Sequence, residues 1–68
     1  MAEINKKVGL TIRQLREKKG WLQKHLASRT GFQRSYIGQI ERGEKNIGLI
    51  NLEKISRALG VKMKDLVR

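Results

Sequence analysis

Apolar side chains at Val8, Ile12 and Leu15 recur at i, i+4 and i+7, the stripe of a helix that ends at Gly20. Similar stripes predict helix 2 over Gln23 to Thr30, helix 3 over Arg34 to Arg42, helix 4 over Leu49 to Leu59 and a short helix 5 from Met63 onward. No segment alternates like a strand. Proline is absent and glycine does the punctuating, with no repeat period and no low-complexity tract. A second pattern marks how the helices are joined. With N-caps at Leu22, Gln33, Gly48 and Lys62, the residue before each cap and the fourth helical residue are both apolar. The pairs are Trp21 with Leu26, Phe32 with Ile37, Ile47 with Leu52, and Val61 with Leu66. These are hydrophobic staples, and glycine precedes three of them at Gly20, Gly31 and Gly60, so each preceding helix can end in a left-handed residue. The caps themselves lack the usual acceptor oxygens of Ser, Thr, Asp or Asn. Either the staples suffice to hold the helix starts, or free N–H groups at helices 2 and 3 await an anion.

A chain of 68 residues has room for one core, so a single domain over 1–68 is expected. Sixteen Lys and Arg against six Asp and Glu leave a net charge of +10, which points to a polyanionic partner. Without cysteine there is no disulfide and no thiolate metal site. The longest apolar runs are far too short to span a bilayer and the first residues lack the apolar block of a signal peptide, so the expected location is cytoplasmic, with no membrane partner. The lone His25 has no acid at i+3 or i+4 and reads as a surface residue, leaving no catalytic pair and no metal site. No cofactor and no small-molecule ligand are expected.

The stretch from Gln23 to Arg42 has the spacing of a helix-turn-helix. Ala27 is small where the second helix crosses, Gly31 can take the positive φ of the turn, and Ile37 wedges between the helices. On a wheel, helix 3 turns Ile37 and Ile40 inward and Ser35, Gly38, Gln39 and Arg42 outward, with Arg34 at the flank. Arg, Gln and Ser are side chains that read base edges. Gly38 costs a helix about 1 kcal/mol relative to Ala, which invites close approach to its backbone. Lys24, Arg29, Arg42 and Lys45 flank the motif within reach of phosphates. Tyr36 is expected to pack against helix 1 with its hydroxyl left for a phosphate. Gly9 in helix 1 is expected to mark a close helix contact. Helix 4 is expected to bury Leu49, Leu52, Ile55 and Leu59, which leaves Ile50, Met63 and Val67 without a role in the core.

These residues resemble the Cro/C1-type (XRE-like) helix-turn-helix regulators over nearly the whole chain. The resemblance is carried by Ile12-Arg13-Gln14-Leu15-Arg16, Gly20, Gln23, Leu26-Ala27, Gly31, Tyr36-Ile37, Gln39-Ile40-Glu41-Arg42-Gly43, Asn46, Leu52, Ile55, Ala58-Leu59-Gly60-Val61 and Leu66. Within the family, Arg34-Ser35-Tyr36-Ile37, Asn46-Ile47 and Leu52-Glu53-Lys54-Ile55 look most like the controller proteins of restriction-modification systems. The resemblance implies an all-α, five-helix lambda-repressor-like domain that binds double-stranded DNA as a homodimer on a palindromic operator, with helix 3 in the major groove. Arg34, Ser35 and Gln39 would then be base readers. Gln23, Arg42, Lys45 and Asn46 would contact the phosphate backbone. Arg16 and Glu41 would form a structural tie, and Ile50, Met63 and Val67 the dimer seam. Leu22 departs from the usual Ser or Thr, and Ile47 from a frequent Pro. An antitoxin or a protein-interaction adaptor of the same fold is the alternative, and a basic membrane-active peptide a third reading that the glycine stops and staples oppose.

Overall fold

A computed structural model describes residues 3–67. The apolar stripes become four helices: α1 over Glu3–Lys18, α2 over Gln23–Thr30, α3 over Arg34–Glu41 and α4 over Leu49–Leu59. The expected fifth helix is a single 3₁₀ turn over Met63–Asp65. The turn is tight because the Asp65 and Leu66 amides close i→i+3 bonds of 2.9 Å onto Lys62 and Met63, and Asp65 Oδ2 accepts the Lys62 N–H at 3.1 Å at its start. The all-α reading stands, with four helices instead of five.

Each staple forms where the spacing put it. Leu22, Gln33, Gly48 and Lys62 are the extended N-caps, and none makes a side-chain cap bond of its own. Trp21, Phe32, Ile47 and Val61 lie half-buried against a core that contains Leu26, Ile37, Leu52 and Leu66. The turn between α2 and α3 depends on Gly31, whose φ of 79° a Cβ would strain. There the amide of Gly31 closes on the Ala27 carbonyl at 2.9 Å, and Phe32 turns back onto the core.

The core joins Val8 and Ile12 of α1, Leu26 and Ala27 of α2, Ile37 and Ile40 of α3, Leu52, Ile55 and Leu59 of α4, and Leu66. Full burial of one such aliphatic side chain is worth about 1.5–3 kcal/mol, so these ten set the packing. Helix α2 packs on both α3 and α4, while α1 lies across α3. Gly9 permits that crossing: a Cβ there would overlap the Ile40 carbonyl and come within 2.8 Å of the Glu41 carbonyl oxygen, so close helix approach is its role.

Three details differ from the stripe reading. Helix α1 begins at Glu3, five residues before Val8. Its polar first turn is invisible to an apolar pattern. Leu49, expected in the core, opens α4 and is 75% exposed. In its place Ser56 is buried, its hydroxyl donating to the Glu53 carbonyl at 2.8 Å.

Candidate nucleic-acid interface

Helix α3 exposes Arg34 and Ser35 to solvent and leaves Gln39 half-buried, with Ile37 and Ile40 buried beneath them. What keeps this face outward is a charged lock under it. Arg16 of α1 donates Nε to Glu41 Oε2 at 2.7 Å and Nη2 to Glu41 Oε1 at 3.0 Å, a two-pronged contact with the end of α3. Its Nη1 reaches the Trp21 carbonyl at 2.6 Å, and Gln23 Nε2 donates to Glu41 Oε1 at 3.1 Å. The Glu41 carboxylate at the end of α3 thus holds Arg16 of α1 and Gln23 at the start of α2, and the same guanidinium ties in the α1–α2 joint through the Trp21 carbonyl. The two ionic side chains are 8% and 2% exposed, and no fully buried side-chain polar atom among the described residues lacks a partner. Removal of charges from water is costly and is repaid only by such complete bonding. The Glu41 hydrogen bond holds the Arg16 guanidinium above its ordinary pKa against the opposing effect of burial, so Arg16 stays charged.

Some expected roles change when the neighbours are seen. Gly38 is buried, not an open patch of backbone: a Cβ there would lie 3.1 Å from Arg42 Nη1 and 3.5 Å from Gln23 Oε1. The chain's own side chains fill the space left by its missing methyl group. Gln23 spends one amide hydrogen on Glu41. Arg42 follows α3 as its C-cap and is held by Glu44 through Nε–Oε2 at 2.8 Å and Nη2–Oε1 at 3.1 Å. That hydrogen bond draws the Glu44 carboxyl below its ordinary pKa and raises that of Arg42, so both are ionised at neutral pH. Tyr36 packs edge-on against Phe32, ring centroids 5.1 Å apart, and its hydroxyl oxygen accepts from Asn51 Nδ2 at 3.0 Å. Its polar partner is thus on α4, not on α1. The phenolic proton stays available for an acceptor. Lys24, Lys45 and Asn46 are exposed.

His25 has a role that sequence reasoning missed. Its Nδ1 accepts the Leu22 N–H at 2.8 Å, the return half of a capping box at the third helical position. The spacing was visible, but His is not the Glu or Gln that signals this arrangement. His25→Ala is expected to lower stability by about 0.5–1 kcal/mol, read as a lower urea midpoint at unchanged slope. Trp21 packs as its staple spacing implied, with the Arg29 guanidinium 4.4 Å and the Lys19 ammonium 5.2 Å from its ring centroid. Of the expected dimer residues, Ile50 is 73% and Val67 45% exposed, whereas Met63 is half-buried against the core. Leu49 adds to the apolar surface beside Ile50.

Among the described residues no group of three or more His, Asp or Glu side chains is placed to hold a metal ion. None of the described helices is long and apolar enough to cross a membrane.

Comparison with known proteins agrees with this geometry. The helix-turn-helix family matches residues 12–66, from the middle of α1 to the last core leucine. The control protein C.BamHI of Bacillus amyloliquefaciens is 48% identical over 60 residues, covering 87% of this chain and 74% of that protein. The crystal structure of the restriction-modification controller C.AhdI from Aeromonas hydrophila superposes with a TM-score of 0.88 at 40% identity, covering 91% of this chain and 94% of that one. The controller C.Esp1396I, solved as a tetramer on its natural 35 base-pair operator, matches over 100% of both chains with a TM-score of 0.86 and 29% identity. This chain belongs to the helix-turn-helix family, and it is a DNA-binding transcriptional regulator of the Cro/C1 type, not an enzyme. Within the family it resembles the restriction-modification controllers.

Proposed function

We propose that the chain works in the cytoplasm as the controller of a restriction-modification system, binding a palindromic operator as a homodimer through one domain over 1–68. The observation that carries this is α3 itself, whose outer face of Arg34, Ser35 and Gln39 is free of large apolar side chains and is held rigid by the Arg16–Glu41–Gln23 lock. Laid in the major groove, Arg34 matches the paired acceptors of guanine, Gln39 the donor and acceptor of adenine, and Ser35 either. Lys24, Tyr36, Arg42, Lys45 and Asn46 surround that face and hold phosphates, with the remaining amide hydrogen of Gln23. The buried Ala27, Gly31 at the turn, Ile37, Arg16 and Glu41 form the frame.

A two-fold dimer would set the two reading helices about 34 Å apart, one turn of DNA. The exposed Ile50 and Val67, with Met63 at their edge, supply its apolar seam. Ile50→Lys is expected to raise the dimer dissociation constant by about tenfold or more while leaving the monomer folded. Sedimentation equilibrium measures it, and an unchanged dimer would remove Ile50 from the seam. The function as a whole is tested by selecting bound sequences from random duplexes. An inverted repeat is the expected product, and an enriched pool without two-fold symmetry would overturn the homodimeric reading.

A further inference from the structure

The Arg42–Glu44 pair has no place in the packing. Both side chains are about half exposed, 58% and 45%, and neither bonds to another helix among the described contacts. Yet the pair lies on the functional face. Arg42 leaves the end of α3 and folds back so that its Nη1 hangs over Gly38, near the Gln23 amide and in line with Arg34 on the same side of the helix. The carboxylate that holds it there presents two oxygens to Nε and Nη2, the fork geometry that a phosphate would offer to the same guanidinium.

We infer that Glu44 is a built-in competitor for DNA phosphate: in the free protein it occupies the guanidinium of Arg42, and the duplex has to displace it before Arg42 can hold the backbone. This rests on the reading of Arg42 as a phosphate-contacting residue. Gly38 gives the guanidinium room beside α3, where a Cβ would come within 3.1 Å of Arg42 Nη1 and press it outward by a few tenths of an ångström. A chain of charge +10 attracts any duplex, and a carboxylate that spends one of its best-placed cations internally lowers that indiscriminate attraction. The exchange involves ionic contacts alone, with no change of fold. The depressed pKa of Glu44, caused first by its bond to Arg42, keeps the competitor charged throughout the neutral range.

The test uses Glu44→Gln, with Glu53→Gln as the control. Glu53 is an exposed carboxylate of α4 paired with Arg57, so its loss changes net charge equally without touching α3. Binding to a random-sequence duplex is measured by fluorescence anisotropy over a salt series, in the wild-type and Arg42→Ala backgrounds. Glu44→Gln is expected to tighten binding by about fivefold, the upper range for an exposed ion pair, beyond any gain from Glu53→Gln. The log–log salt slope is expected to stay as in the wild type, because the same phosphate is held in either complex. The gain in affinity vanishes when Arg42 is already Ala. A Glu44→Gln gain equal to that of Glu53→Gln, or one that persists without Arg42, overturns the competition. If instead Arg42→Ala leaves the wild-type affinity and salt slope unchanged, it is the phosphate role of Arg42 that fails. Since all three sites are exposed, the folded state is expected to survive each change, and circular dichroism verifies it.

Discussion

Glu41→Ala is expected to remove about 3–5 kcal/mol of stability, the range for breaking a buried ion pair by deleting one partner. The loss comes less from the missing attraction than from what remains. Arg16, with its side chain only 8% exposed, would keep its charge and lose two of its three hydrogen bonds, and Gln23 would lose its acceptor. A domain of 68 residues has about 3–10 kcal/mol of stability in total, so the variant should lose between about a third and all of it. Urea denaturation of the wild type and variant measures the difference, and a change under 1 kcal/mol would show the lock to be dispensable. Replacing both partners together, Arg16→Met with Glu41→Leu, should cost much less than either single truncation, because no unpaired charge is left behind. The same pair would then separate stability from function. With α3 no longer tied to the start of α2 and the end of α1, the doubly substituted domain should bind its operator more weakly despite being folded.

Arg34→Ala is expected to erase discrimination at one base step of each half-site, worth about 1–3 kcal/mol, while leaving affinity for random duplex nearly unchanged. Lys45→Ala should do the opposite. It weakens specific and random duplexes alike and lowers the salt slope by about 1, the signature of a lost phosphate contact. The difference follows from position. Arg34 opens α3 and stands exposed on its reading face, whereas Lys45 lies beyond the helix on the loop that leads to α4. Titrations against a panel of single-base operator variants, each repeated at several salt concentrations, resolve the two cases. Equal losses on operator and random DNA from Arg34→Ala would remove it from the base readers.

Much of this architecture was legible in the order of residues because its signals are local. Staple pairs five residues apart, a glycine before three of the four staples and stripes at helical spacing need only their own segment. Thus α2, α3 and α4 begin where expected, as do the four N-caps. The outward side of α3 was legible for the same reason, and so was the close contact at Gly9 through its resemblance to the family. The fate of the last segment was not. Whether residues 63–65 wind as an α-helix or a 3₁₀ turn depends on which carbonyl each amide closes onto, i→i+3 here, a choice that periodicity does not register.

Polar side chains show the division most clearly. That Arg34, Ser35, Gln39, Arg42 and Lys45 are hydrophilic and close together follows from their positions in the chain. Which of them stands free does not, because an ion pair costs nothing to write and is decided by where two flexible side chains end up. Gln23 is partly committed to Glu41, Tyr36 to Asn51 and Arg42 to Glu44, and Gly38 is covered by neighbours from two helices. Leu49 and Ser56 exchange the burial that their hydrophobicity implies, since coverage at a helix start depends on what faces it in space. Linear order was therefore enough for the starts of α2, α3 and α4, their joints and the outward side of α3, all set by contacts within a few residues. Folding in three dimensions chose the partners of Gln23 and Tyr36, because those partners lie 18 and 15 positions away and win or lose by distance.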